Sequence, residues 1–466
     1  MHPIPTVPRS LIAVGLAALL VAAPAAGPAR AATLVPARPG ALAAALAVCA
    51  AGDTLVLAPG AHPGPARVTR PIVLRGEPGA VIQGDGTGTV LMIGCDRVTL
   101  EDFEVRGSGH RVITVDSGIQ VIRSIGVQIR RVRLRDVLYG VYGERCDSLL
   151  VENSDLVGRV APLQEDGEGN GINLWYCKGP RLVGNRERGF ADGVYLSFVN
   201  GAIVKRNTLE RNGRYGLHTM YCQENTLDGN RFAHNVAGCA IMFSNHLKVV
   251  HNDFWRNRGP RTYGLLLRDC SDGEFWDNRL VDNTIAVFFD GSNRNKFHGN
   301  LLEDNGWGLF IFASSASNEV AGNTFVHCDY PVALDMRYTT NRFDDGKVGN
   351  YWSDNAPYDL DGDGTSDVPY SPVSAFAFLS KQFPDLSVLA RSPAVAALSV
   401  AERVLPALRP SEAVDHYPRL VPIRVQGAGG TLARESHRTR ATAGAAAFAG
   451  MLSLGLGGVV FARRFA

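Results

Sequence analysis

The chain has 466 residues, with 47 Lys and Arg against 45 Asp and Glu, a formal net charge of +2 and eight cysteines. Charge so small and so scattered argues against a nucleic-acid-binding surface. No G-x-x-x-x-G-K-[ST] loop occurs, so any ATP hydrolysis belongs to a partner.

In chain order, residues 11 to 23 form a short apolar run after Arg9, followed by small residues up to Ala31. The run is too short to span a bilayer and reads as a secretory signal peptide over 1–31, which places the mature chain outside the cytoplasm. The alanine-rich stretch from Leu42 to Ala50 predicts a helix that caps the first coil of a solenoid, and Thr54 to Gly60 reads as a strand.

The body of the chain is a repeat. Asn185, Asn207, Asn230, Asn252, Asn278, Asn300 and Asn323 recur every 22 to 26 residues, and a second set, Asn212, Asn235, Asn257, Asn283 and Asn305, follows five residues behind. A period in the low twenties means one supersecondary turn per unit, which buries its apolar face only by stacking on its neighbours. The expected fold class is therefore all-β, a right-handed parallel β-helix of roughly a dozen coils between Ile72 and Asn350, inside a domain spanning 32–370. The asparagines are expected to adopt left-handed backbone at the corners and to hydrogen-bond along the stack, a structural role.

Each coil also carries a glycine before its longest strand: Gly140, Gly171, Gly193, Gly216, Gly238 and Gly264. With that glycine as position zero, strand alternation turns positions one and three inward and positions two and four outward. Cys146, Cys177, Cys222 and Cys270 all fall at position six, where Val199 and Ser244 stand in other coils, so they read as small stacked residues rather than disulfide partners; free thiols or ligands are the alternative. No C-x-x-C pair supports a zinc site.

His218 and Met220 occupy positions two and four, and Met242 occupies position four one coil on. Adjacent coils lie about 4.8 Å apart, so the two thioethers are expected to be neighbours with an imidazole on the same face. Such a soft, neutral donor set suits Cu(I) rather than calcium, magnesium or zinc. The plainer alternative is that these methionines lie under a covering loop or partner. Trp175 and Tyr195, on nearby coils, are expected to form an exposed aromatic strip.

After the last coil, Asp359, Asp361, Asp363 and Asp367 stand at positions one, three, five and nine of a calcium-loop spacing, with Gly364 at position six and Tyr370 where a bidentate Glu is usual. This Asp-rich segment either holds Ca²⁺ or simply closes the helix as a turn. Further on, residues 426–440 form a basic linker, and Ala441 to Ala462 carry no charge before Arg463 and Arg464. With the N-terminus exported, one span ending in two arginines satisfies the positive-inside tendency, so 441–462 reads as a weakly hydrophobic membrane anchor, with a processed tail or a partner-bound helix as alternatives.

Several of these segments together resemble the NosD-type accessory proteins of nitrous oxide reductase: GNGINLWYC at 169–177, RYGLHTMYCQEN at 214–225, CAIMFSN at 239–245, GNYWSDN with YDLDGDG after the coils, and RSPAVAALSVAERVLPALRP at 391–410. The resemblance runs from about Leu42 to Leu420. It implies a periplasmic copper-binding β-helix that works with an ABC-type ATPase and permease, a copper-donor lipoprotein and apo nitrous oxide reductase, supplying copper and, as an open possibility, sulfur. It strengthens the assignment of His218, Met220 and Met242 to Cu(I). It also makes 371–425 a helical segment that docks on the permease through residues such as Phe376, Phe378, Leu379, Phe383, Leu386 and Leu389, or that caps the last coil.

Two other classes share the scaffold. A polysaccharide lyase, hydrolase or epimerase needs two or three carboxylates, or a base with Arg or Lys, converging on one outer face. Positions two and four offer no adjacent acidic pair, although the loop acids Glu165, Asp166 and Glu168 stand nearby in sequence. A surface polysaccharide-binding solenoid is the third class.

Overall fold

The computed structural model describes residues 32–162, 164–389, 392–404, 413–423 and 425. Three parallel sheets of 13, 12 and 13 strands run the length of the molecule, each strand pairing with its counterpart one coil before and one after. This is the expected right-handed β-helix, of about 14 turns. It begins earlier than the asparagine period indicates: the first rung is Thr33–Val35, paired with Thr54–Leu57, rather than a coil near Ile72. The expected cap is present as helix α1, Ala41–Val48, which buries Leu42 and Leu46 against the first coils. The interior is a continuous apolar column of Val, Ile, Leu and Phe side chains.

The asparagine ladder holds the corners. The side-chain oxygen of Asn252 accepts from the backbone N–H and the side-chain amide of Asn230 (2.8 and 3.0 Å), while its own amide donates to Asn278 and to the carbonyls of Leu227 and Val250. The same pattern runs from Asn185 to Asn350, so each buried amide is saturated by the coils on either side. The ladder residues do not themselves take left-handed backbone; the residue before each one does, as at Arg206, Gly229, His251, Asp277 and Gly299 (φ 54 to 66). The chain turns on that residue, and the asparagine that comes next is free to point inward. The last rung is a carboxylate: Asp415 accepts from Asn350 N–H (2.7 Å) and from the indole N–H of Trp352 (2.8 Å), ending the ladder without an orphaned donor.

The cysteine column is a second hydrogen-bonded ladder, interrupted where Val199 stands between Cys177 and Cys222. Cys146 N–H donates to Cys177 Sγ (3.4 Å), Cys222 N–H to Ser244 Oγ (3.0 Å) and Cys270 N–H to Ser292 Oγ (3.1 Å). Serine and cysteine interchange there because both accept, and all eight cysteines are free thiols. Burial raises the Cys222 thiol to about 11 and Cys270 to about 12, so both stay protonated at neutral pH.

Glycine at position zero is required by packing. A Cβ on Gly216 would sit 2.5 Å from the carbonyl oxygen of Gly238, and one on Gly193 would sit 2.7 Å from that of Gly216. The strand pairing skips this residue, from Asp192↔Tyr215 to Val194↔Leu217, so inward–outward alternation breaks there. Residues just before the glycine therefore share the outer face with positions two and four. That face carries its own apolar cluster of Ala237, Ala240, Leu266 and Phe288, flanked by Tyr215, Met242 and Tyr263.

The segment expected to be a helical docking element is only partly helical. Helix α2 spans Ala375–Gln382, a 3₁₀ turn comes next over Pro384–Leu389, and helix α3 spans Pro393–Val404. Phe376 is buried and stacks on Tyr330 of the last coil at 5.5 Å, so α2 caps the open end of the core, while Leu379, Phe383 and Leu389 face solvent. Residues 413–423 are extended and complete the final rung instead, with bridges from Asp415 to Tyr370 and from Arg419 to Tyr351. No helix among the described residues is long and apolar enough to cross a membrane. The expected signal peptide 1–31, basic linker 426–440 and anchor 441–462 lie outside the described residues.

Candidate metal centre

His218 and Met220 lie on strand Tyr215–Met220, and Met242 lies on strand Ala237–Met242 one coil on. The register pairs Met220 directly with Met242 and His218 with Ala240, so the expected thioether pair beside an imidazole is present. The structure corrects the environment of the histidine. Position two does point away from the core, but His218 is only 7% exposed, because the break in alternation at the glycine puts more side chains on this face. Tyr195 and Tyr215 pack on the ring at centroid distances of 4.9 and 5.0 Å, and Asp192 lies behind it.

Asp192 orients the imidazole. His218 Nδ1 is 3.2 Å from Asp192 Oδ2, and Arg214 grips the same carboxylate in a bidentate pair, Nε to Oδ1 at 2.9 Å and Nη2 to Oδ2 at 2.8 Å. Burial alone would raise the Asp192 carboxyl, yet the hydrogen bonds from His218 and Arg214 and the charge of the arginine outweigh it and hold the group below its ordinary range. The same contact raises the Arg214 guanidinium, against the opposing effect of burial. The carboxylate therefore stays ionised and balanced by arginine, and it fixes the tautomer with the proton on Nδ1. That leaves His218 Nε2 as an acceptor, buried and without a hydrogen-bond partner. Buried polar atoms are nearly always paired, so one that is not calls for a reason. An imidazole held through one nitrogen by a carboxylate, with the other nitrogen vacant, is the arrangement by which proteins set a metal-binding histidine.

The thioethers are partly buried. Tyr195 donates its hydroxyl to Met220 Sδ at 3.4 Å, and Met242 borders the outer apolar cluster. The donors available here are thus an imidazole nitrogen and two thioether sulfurs with no net charge of their own, in a setting with restricted water. They fit a soft monovalent cation and would discriminate poorly in favour of hard divalent ones.

Alternation alone does not reveal Asp192, which immediately precedes a glycine and so carries the wrong parity, nor Arg214, which lies just before its strand begins. A second missed feature is legible in the repeat: Tyr176, Phe198, Tyr221 and Phe243 all stand at position five. Their rings stack over four successive coils at 4.6, 5.0 and 5.0 Å, beside the methionine column, with left-handed backbone at every one (φ 50 to 55). The aromatic strip exists, but these residues form it. Trp175 joins edge-on to Tyr176 at 5.0 Å, whereas Tyr195 is half-buried against His218.

In the Asp-rich loop, Asp359, Asp361 and Asp363 converge, each offering an oxygen within 4.8 Å of the others. Their other bonds shape the turn: Asp359 accepts from Gly362 and Gly364 N–H, Asp361 from Asp363 N–H and Asp363 from Thr365 N–H. Asp367 is not part of that group; its Oδ2 accepts from Leu360 N–H at 2.6 Å.

Comparison with known proteins bears on what such a face does. A family model described as "Periplasmic copper-binding protein (NosD)" matches residues 158–357, which include His218, Met220 and Met242. Two curated relatives, each named "Probable ABC transporter binding protein NosD", are similar over most of the chain. The one from Stutzerimonas stutzeri is 28% identical over 375 residues, 77% of this chain and 85% of the relative. The one from Pseudomonas aeruginosa is 29% identical over 381 residues, 78% and 87% respectively. Among solved structures, the A-module of the Azotobacter vinelandii mannuronan C-5 epimerase AlgE6 superposes with a TM-score of 0.51 at 17% identity, covering 64% of this chain and 90% of the module. At that identity the likeness speaks for the fold alone.

Proposed function

We propose that this chain is a NosD-type periplasmic copper-binding protein, a reading supported by the family model over 158–357 and by the two relatives, and that it takes up Cu(I) on the outer face around His218 and passes it on in concert with an ABC-type transporter. The observation that carries this reading is the vacant, buried Nε2 of His218, held in place through Nδ1 by Asp192 and set beside the register-paired Met220 and Met242. Copper is cargo here, so the site has to release it. Thioethers are weak, neutral ligands, and a site built from them and one imidazole exchanges more readily than a thiolate cage. The buried, protonated thiols of Cys222 and Cys270 take no part.

The relatives' names support an ABC-type ATPase and permease as partner. The solvent-facing Leu379, Phe383 and Leu389, next to the helical cap, are the apolar surface we assign to that contact. A copper-donor lipoprotein upstream, apo nitrous oxide reductase downstream and co-delivery of sulfur extend the same reading. Calcium at Asp359, Asp361 and Asp363 would stiffen the closing loop beside the cap, leaving Asp367 to its backbone bond with Leu360.

A glycan-processing enzyme on this scaffold is the competing reading. Among the described residues Asp192 is the one carboxylate bonded to His218, and both its oxygens are occupied by Arg214 and His218. Among the described residues no second carboxylate is hydrogen-bonded to His218 or Arg214 to share the acid and base roles.

The decisive measurement is an anaerobic Cu(I) titration of the full-length protein against a competing chelator. Near-stoichiometric binding is expected, weakened at least about 100-fold in the combined His218→Ala, Met220→Ala and Met242→Ala variant. Binding unchanged in that variant would remove the site assignment. Depolymerisation or epimerisation of a uronate polysaccharide by the wild type would move the protein to the enzyme class.

A further inference from the structure

A second polar feature lies at another corner, away from the methionine column. The corner that precedes the second asparagine set carries Arg211, His234 and Arg256 on three successive coils, each with left-handed backbone that turns the side chain outward (φ 56, 57 and 51). Together with Arg258 and with Pro162 from the loop at 158–169, they line a cavity of about 310 Å³. The loop is seated tightly against the coil: the carbonyl oxygen of Gln164 lies 2.4 Å from where a Cβ on Gly213 would be, so only glycine fits there.

The lining has an excess of positive charge. Arg256 and Arg258 both bond to the carboxylate of Asp282, Arg256 through Nε at 3.0 Å. Glu210, the next acid, is engaged by Arg186 at 3.0 Å. The guanidinium carbons of Arg231 and Arg256 each lie over the Trp255 ring, 4.6 Å from its centroid, a contact that restrains Arg256. His234, edge-on to Trp255 at 5.1 Å, registers the field: burial lowers its pKa, and Arg211, Arg256 and Arg231 lower it further against a smaller opposing effect of Glu210.

We propose that this cavity binds a small tetrahedral oxyanion, phosphate or sulfate or a compact monoester of either. Guanidinium groups present paired N–H donors that match such an anion's oxygens; Arg256 and Arg258 are held in place by Asp282, and Arg211 lines the same cavity from two coils away. The volume exceeds that of a bare ion, which leaves room for a small esterified group. Three coils span only about 10 Å, short for an extended acidic peptide. The site is independent of copper binding.

Isothermal titration of the full-length protein with inorganic phosphate and, separately, sulfate, in low-chloride buffer, tests it. Saturable one-to-one binding is expected, weakened about 10-fold by Arg211→Gln or Arg258→Gln and further by the pair. Arg123→Gln, at a distant corner, should bind as the wild type does, and urea unfolding of each variant separates lost binding from lost fold. No saturable binding up to about 20 mM of either ion, which is weaker than about 2.3 kcal/mol, would overturn the proposal. So would a folded double variant that binds as tightly as the wild type, or binding of an Asp/Glu-rich peptide without binding of phosphate or sulfate.

Discussion

The asparagine ladder and the His218 pocket are both made of buried polar side chains on repeating coils, yet they end differently. In the ladder each amide oxygen accepts from the coil before and each amide nitrogen donates to the coil after, so nothing is left over. In the pocket, Asp192 is saturated by Arg214 and His218 but one imidazole nitrogen has no partner. Repetition explains the contrast. A polar residue that recurs every coil finds its partner in its own copy, whereas His218 occurs once and pairs with Ala240 on the next strand. A buried polar group outside the repeat is where chemistry is to be sought.

The sharpest way to test that division is to cut the ladder. Asn252→Ala removes an acceptor of two hydrogen bonds and a donor of three, leaving Asn230 and the carbonyl of Leu227 unsatisfied in the interior. A loss of about 3–5 kcal/mol in urea unfolding is expected, with Cu(I) affinity unchanged in whatever fraction stays folded. The pocket should behave in the opposite sense. His218→Ala is expected to weaken Cu(I) about 100-fold, or about 2.7 kcal/mol, while stability changes little, because Asp192 keeps its bidentate arginine. If His218→Ala unfolded the protein as Asn252→Ala does, the two regions would be of one kind.

Asp192→Asn probes the positioning bond alone. An amide can still meet Nδ1 but no longer holds the tautomer through charge, so Cu(I) affinity should fall about 10- to 30-fold, less than on removing the ligand. A pH profile separates the effect from simple damage. Asp192 is depressed in the folded state, so its contribution to stability is present above the unfolded carboxylate value and is lost as pH falls through the folded one. The acid limb of wild-type stability should therefore flatten in the variant.

Much of this is legible in the chain of residues alone. The period predicts the β-helix, the asparagine columns and the meeting of Met220 with Met242, because all three depend only on register. What alternation misses traces to one local event. The strand skips its glycine, since a Cβ there would strike the next coil's carbonyl, and the skip restores Asp192, Tyr215 and Tyr263 to the outer face. Parity counted across that glycine hides the carboxylate behind His218 and leaves the histidine looking exposed. The aromatic stack at position five needs only the same ruler extended by one residue. Asp415, far from its ladder in sequence, carries no period and is found only in three dimensions.

Glu187 marks where the contrast between ladder and pocket stops. It too is buried without a partner for either carboxyl oxygen, and burial, with a smaller contribution from Asp155, pushes its pKa well above the ordinary value. Its register, however, is Leu156↔Glu187↔Leu209, a column that faces the inside of the tube, where no ligand arrives. An orphaned polar group facing inward is expected to be a cost, and one facing outward a site. Glu187→Leu should therefore stabilise the protein by about 1–3 kcal/mol at neutral pH, with Cu(I) affinity unchanged. The sign with pH comes from the raised pKa: the folded state holds a proton that the unfolded chain has released. The advantage of the leucine variant should grow as pH rises above the unfolded carboxylate value, level off past the folded one, and shrink toward pH 4. Urea midpoints of the two proteins measured across that range would show it, and a variant no more stable at pH 7 than at pH 4 would mean that the carboxylate has found a partner inside the solenoid.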